Sequence, residues 1–421
     1  MTASISRPAP QLMDPQRARR VMGDFGVDLL CTSEDSGLAY VSGHASDSSL
    51  CHFYDEWACA VFARDASTPG TLFVPDYDLA YQVTRPTCLP ALRAYGSDWS
   101  SAASVMKEIH AGVGVETELR QPLRDLFTRT RPTLQKTLGD SIKAYVAEYF
   151  GSRPLSLACD DLRFGQHLRE MLGEHVKIVD ARPVLRRIRA VKTANEIACL
   201  QASASINDRA LRAASRAIGA GRPWRDMVLA YRDVLAREGA KPLGERGMLF
   251  NGGPDGGFVL DHDYIDTKTF QQGETVLLDA ICQYRLYHAD MARTAVIGEP
   301  TPMQTRMHRA VAEALAAAES VMRPGVHTKR IEETAAEVLR KQGFNPRLTT
   351  LVCHPIGLEI FDYPNTTEAW EGWVLEDSSV INFEVFYRDA TEGGMHLEDS
   401  VLVTQTGAKS LSGESRDLII A

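Results

Sequence analysis

Long apolar runs are missing from this chain of 421 residues. No stretch approaches the ~18 residues that a spanning helix needs, so the chain is expected not to cross a membrane. Paired cysteines are missing too. The eight cysteines are scattered with no C-x-x-C, which favours reduced thiols in a cytoplasmic protein over a disulfide framework. The opening MTASISRPAPQLMDPQRARR lacks the apolar middle of a secretory signal, in keeping with that expectation. Basic runs are absent as well. Lys plus Arg is 46 against 55 Asp plus Glu, a net charge of −9, so nucleic acid is not expected as a partner. What remains is ordinary globular composition, 44% hydrophobic and 24% charged, long enough for two or three domains.

The N-terminal half alternates short β-rich runs with helical segments. Asp14–Phe25 reads as a helix capped by Asp14, with Pro15 in its first turn and Gly26 as its stop. Val27–Cys31, Leu38–Val41, Trp57–Phe62, Thr71–Val74, Leu155–Ala158 and Val176–Val179 read as strands, and Ser141–Tyr149 as a helix. This predicts an α/β domain over 1–183. The segment VLRRIRAVK after Pro183 reads as a basic strand leading into a second domain, 184–421. There Thr193 opens a long helix with Glu196 completing a capping box, and a second helix starts at Pro223. Helices from Pro302 and over Thr328–Gln342 repeat the pair, and each pair is followed by strand-like segments. Two copies of helix–helix–strands predict four outer helices over a curved antiparallel sheet.

Single carboxylates interrupt the most apolar strands of that second domain. TVLLDAI carries Asp279, HADMARTAVIG carries Asp290, VINFEVFY carries Glu384 and HLEDSVLV carries Glu398. A charged group in a core strand costs several kcal/mol unless it is paired or bound to a metal. One such residue is usually a salt bridge; four, in two hairpin-like pairs, are poorly explained that way. Clustered carboxylates repel one another unless divalent cations neutralise them. His354, at the end of the strand in LVCHPIGLEI, adds a nitrogen to an oxygen-rich set suited to two Mn, Co, Zn or Fe ions. Such ions would offset the four negative charges and generate a hydroxide nucleophile at neutral pH.

These residues, in this order, resemble the pita-bread (M24) metallopeptidase family, in its prolidase, Xaa-Pro aminopeptidase and creatinase branch. The family's ligand set Asp, Asp, His, Glu, Glu falls on Asp279, Asp290, His354, Glu384 and Glu398. The surrounding D…D-x-x-R-T at Asp279–Thr294, H-x-I-G-L at His354–Leu358 and L-E-D-x-V-L-V-T at Leu397–Thr404 agree. The likeness spans nearly the whole chain, because an N-terminal α/β domain ahead of the pita-bread domain is typical of this branch. It implies a dinuclear hydrolase of a C–N bond in a small amide or Xaa-Pro-like dipeptide, acting through metal-bound hydroxide. Glu384 would shuttle the proton and His262 would orient the substrate. It also implies a homodimer, in which His52, Tyr54 and Trp57 would cap a neighbouring subunit's site.

Two departures from the family pattern narrow the substrate. Peptidases of the family usually carry a second histidine where this chain has Phe361, and Glu384-Val385-Phe386 replaces the usual E-P-G. Both point to a small, specialised substrate, with creatine-like compounds and ectoine as candidates beside dipeptides. Two rival readings share the scaffold. A dimethylsulfoniopropionate-type lyase would carry further acids near the first Asp, where this chain has Ile281; a binding platform would lose ligands, and all five are present. His288 and His396, each two residues before a carboxylate, share its sheet face and are open to a supporting or a core role. Arg293 is expected to steady the sheet by pairing with a carboxylate.

Overall fold

The computed structural model describes residues 9–45, 58–96, 107–109, 111–244, 248–249, 268–362 and 371–421. It divides into two compact units, 1–188 and 189–421. His52, Tyr54, Trp57 and His262 lie outside the described residues.

In the first unit, Asp14 caps the helix Pro15–Asp24 as its sequence predicts, its carboxylate accepting from the Gln16 and Arg17 amides. Six strands follow in the spatial order β4-β3-β2-β1-β5-β6: Leu29–Thr32 (β1), Cys59–Ala63 (β2), Thr71–Pro75 (β3), Ala91–Tyr95 (β4), Leu155–Cys159 (β5) and Val176–Asp180 (β6). Strands β1, β5 and β6 run parallel, as do β3 and β4, and β2 is antiparallel to both its neighbours. Leu29, Val61, Phe73 and Leu157 from the sheet meet Ile142, Tyr145 and Leu168 from the helices Leu138–Tyr149 and Leu162–Leu172. Two expectations are corrected. Leu38–Val41 belongs to a helix, Asp35–Ser42, ended by Gly43 in the left-handed region. The basic strand of VLRRIRAVK is also helical, Arg182–Arg189, with Val184, Leu185 and Ile188 buried. Those three residues are spaced for one helix face rather than for the alternation of a strand.

The second unit is built on a sheet ordered β11-β12-β13-β10-β9-β7. Its long strands are Thr275–Tyr284 (β9), Tyr287–Val296 (β10), Thr349–Pro355 (β11), Val380–Asp389 (β12) and Gly393–Thr404 (β13), all antiparallel to their neighbours. The short Lys241–Pro242 (β7) and Met248–Leu249 (β8) pair with β9, Gly407–Ser410 (β14) with β13 and Ile419–Ile420 (β15) with β10. Among the described residues, four helices cover one face. Ala194–Ser215 opens with the expected Thr193–Glu196 capping box. With Trp224–Glu238 it buries Leu211, Met227 and Tyr231 against Leu278, Ala280 and Met291. Pro302–Val321 and Thr328–Lys341 bury Met307, Val311 and Ile331 against Phe383, Val385 and Leu397. Each fully buried side chain of this kind contributes about 1.5–3 kcal/mol. The two helix pairs thus make two matching cores on the same side of one sheet. Period-two alternation turns the intervening residues to the other face, where the carboxylates stand.

Candidate metal centre

Register brings the distant acids together. The β9–β10 hairpin turns at Arg285 and Leu286, both at positive φ, so that Tyr284 faces Tyr287 and Asp279 faces Ala292. Ala292 in turn faces Glu398, and Glu398 faces Glu384. Asp279, Ala292, Glu398 and Glu384 therefore form one rank across β9, β10, β13 and β12. Two residues along, Ser400 faces Asn382 and Asn382 faces His354, with Asp290 on β10 reached by the Ser400 hydroxyl at its carbonyl. A third rank adds His396, whose backbone is held by Thr294 Oγ1 in both directions, at 2.8 and 3.0 Å. All five residues expected as ligands lie on this face.

The donors converge. His354 Nε2 is 3.8 Å from Asp290 Oδ2 and 3.6 Å from Glu398 Oε1. His396 Nε2 is 3.0 Å from Glu384 Oε2 and 3.6 Å from Glu398 Oε2. Two triads result, Asp290–His354–Glu398 and Asp279–His396–Glu398, each with one donor atom per residue within 4.8 Å of the others. Atoms bound to one ion at about 2.1 Å lie at most about 4.2 Å apart, so small side-chain rotations close either triad. Asp290 Oδ1 is buried without a hydrogen-bond partner. A carboxylate oxygen in that position fits a divalent cation, as does a donor set of oxygens with imidazole nitrogen.

The neighbouring residues Glu398 and Asp399 provide an internal comparison. Asp399, on the helix-covered face, is met by two guanidiniums, Arg293 at 2.8 Å and Arg416 at 2.6 Å. Arg293 also donates to the carbonyls of Ala292 and Glu398, so its expected role in steadying the sheet holds. Glu398, equally buried, is met by the Asn382 amide at 2.7 Å and by the two imidazoles. Two like charges about 4 Å apart repel by about 4 kcal/mol even at an effective dielectric of 20. Burial raises Asp290 and Glu398 well above the usual carboxylate range, and repulsion from their acidic neighbours adds to it. Burial also lifts Asp279, to about 6, with Glu384 adding to the rise and His396 opposing it. For Glu384 burial acts upward too, but His396, His354 and Arg388 outweigh it and hold the group below its ordinary value. Burial lowers His354, keeping its ring neutral and able to donate a lone pair.

Sequence reasoning missed Asn382, although it stands two residues before Glu384 and so shares its face; its amide orients Glu398 and its carbonyl accepts from Ser400 at 2.9 Å. His396, open to either role from its position in the chain, points into the carboxylates. His288 does not: its ring lies 3.3 Å from the Gly357 carbonyl and 3.4 Å from Gln283. Phe361 stacks at a 49° tilt on His354, ring centres 4.5 Å apart, and is half-exposed. Asp362 and Glu359 answer Arg189, and Asp362 also meets Lys192, tying the segment after His354 to the start of the unit.

The profile of metallopeptidase family M24 matches residues 198–405. An Xaa-Pro dipeptidase of Pyrococcus furiosus is 28% identical over 236 residues, which cover 56% of this chain and 67% of that protein. A probable dipeptidase, PepE, of Mycobacterium tuberculosis is 26% identical over 366 residues, 86% of this chain and 94% of its own. Among solved structures, an Xaa-Pro dipeptidase from Bacillus anthracis superimposes with a TM-score of 0.70 at 17% identity, over 97% of this chain and 99% of that one. The prolidase from Pyrococcus horikoshii does so with a TM-score of 0.68 at 19% identity, over 96% and 99%. Both likenesses concern the fold: a mixed N-terminal sheet followed by a helix-covered antiparallel sheet.

Proposed function

We propose that the chain, whose residues 198–405 match metallopeptidase family M24, is a metal-dependent hydrolase of the C–N bond in a small amide or Xaa-Pro-like dipeptide. Asp279, Asp290, His354, Glu384 and Glu398 are the proposed ligands of two divalent cations. The observation that carries the reading is the cluster of four carboxylates, Asp290 and Glu398 buried and Asp279 and Glu384 partly so, with imidazoles but no guanidinium in the two triads, one residue away from an Asp399 that has two.

Two divalent cations, when bound, lower the pKa of water to about 7 and polarise a carbonyl. The protein's own groups supply the rest. Glu384 is more open than Glu398 and Asp290, its side chain 19% exposed against 4–5% for those two. It is therefore placed to take the proton from the attacking water and return it to the departing nitrogen. His262 is assigned the orientation of the substrate. Phe361 offers an apolar surface beside His354, which suits a compact substrate. Manganese, cobalt, zinc or iron as the native ion, a homodimer and a cytoplasmic setting complete the proposal. No helix among the described residues is long and apolar enough to cross a membrane. The lyase reading has less behind it, because the position after Asp279 that faces the site is Ile281.

The test is to strip the protein with a chelator, reload it with each ion, and screen Xaa-Pro dipeptides, creatine and ectoine. Hydrolysis that returns with metal supports the reading. A stripped protein that keeps its full rate sinks it.

A further inference from the structure

Two imidazoles face the carboxylates, and only that of His354 belongs to the ligand set above. We infer that His396 is the nitrogen ligand of the second cation position. Each triad then contributes an aspartate and an imidazole, with Glu398 common to both, and Glu384 keeps its place in the ligand set. The inference rests on the two-cation reading and goes beyond its ligand set.

Geometry carries it. The donor atoms of Asp279, His396 and Glu398 lie within 4.8 Å of one another, as do those of Asp290, His354 and Glu398. The His396 ring is 2% exposed, and its Nε2 is buried without a hydrogen-bond partner, although Glu384 Oε2 is only 3.0 Å away. The ring is fixed from behind as well. Phe386 stacks on it at 4.8 Å and 22°, and Thr294 clamps its backbone N–H and carbonyl. Ligands held this way need little reorganisation on binding. A neutral imidazole adds a donor without changing the balance of four carboxylates against two cations. It also shifts preference at the Asp279 position from manganese towards cobalt, zinc or iron. His288 supplies the contrast: it too is buried and two residues before an acid, but it faces a backbone carbonyl and a glutamine.

The rival role is an imidazolium paired with Glu384, which is a charge partner and not a ligand. Proton NMR of the cobalt-loaded full-length protein separates the two. The ring N–H of each coordinated imidazole gives a strongly shifted signal that disappears in D2O. Two such signals are expected in the unaltered protein. His396→Gln should lose one of them and bind one cobalt at least about tenfold more weakly, and His288→Gln should keep both. A single signal in the unaltered protein, or two that survive in His396→Gln, overturns the inference. The count in the unaltered protein decides the matter even where the variant does not fold. Failure to bind any cobalt by elemental analysis would instead overturn the two-cation reading itself.

Discussion

Replacing Asp279 with asparagine should make the metal-free protein more stable, by an amount that grows with pH. Burial raises the Asp279 carboxyl from 3.8 to about 6, so the folded chain holds its proton more tightly than the unfolded chain does. Below pH 3.8 both states are protonated and the group costs nothing. Between 3.8 and about 6 the unfolded chain releases the proton first, and stability falls as pH rises. Above that window the loss is complete, about 3 kcal/mol for a rise of this size. A side-chain amide cannot ionise, so Asp279→Asn escapes the loss. For a unit of 233 residues, 189–421, the gap in Tm should widen by about 6–12 °C between pH 3 and pH 7. The assay is differential scanning calorimetry in chelator across that range, read as the difference between the two proteins so that titrating groups distant from the site cancel; Asp290 and Glu398, relieved of the charge on Asp279, widen the gap in the same direction. Saturating cobalt or manganese should then reverse the order. Metal at a thousandfold its Kd adds about 4 kcal/mol to a protein that binds it, and the variant should gain far less. A gap that stays flat with pH, or a variant stabilised by metal as much as the parent, would refute the reasoning.

Other changes separate the parts of the site. Asp290→Ala should weaken metal binding by more than about 100-fold, beyond what an outer-shell change costs, and abolish hydrolysis, as measured by equilibrium dialysis and rate. Asn382→Leu leaves Glu398 Oε1 without its amide and should cost about 10–100-fold in metal affinity while the fold persists, as checked by circular dichroism. Arg293→Met leaves Asp399 with Arg416 alone and should destabilise the unit by about 3–5 kcal/mol in urea titration. Phe361→His restores the histidine usual in the family's peptidases and should raise Xaa-Pro dipeptide turnover by about tenfold or more, since one donor at a developing oxyanion is worth about 10²–10³. An unchanged rate would exclude Phe361 as the cause of any narrowed specificity.

Much of this was legible in the chain. Capping residues gave Asp14 and Thr193 as helix starts, because a short polar side chain followed by an amphipathic run has one common structural use. The repeated helix pair gave the four-helix cover, because each pair leaves one apolar stripe that a sheet must bury. Failures came where local pattern is ambiguous. Leu38–Val41 is a short apolar run that burial on every side allows to be either helix or strand, and tertiary packing chose helix. VLRRIR reads as a basic strand leading out of Pro183, yet Val184, Leu185 and Ile188 already carried helical spacing. Cross-strand register lies beyond a one-dimensional pattern. Period two shows that Glu384 and Asn382 share a face, but only pairing shows that Asn382 reaches Glu398 on the next strand and that His396 leans towards Asp279.

The most direct test of the central claim is a crystal soaked in cobalt and measured above and below the cobalt absorption edge. Two anomalous peaks are expected on the polar face of the sheet, one beside Asp290 and His354 and one beside Asp279, with Glu398 touching both. An ordered face with no peak among these side chains would contradict that claim.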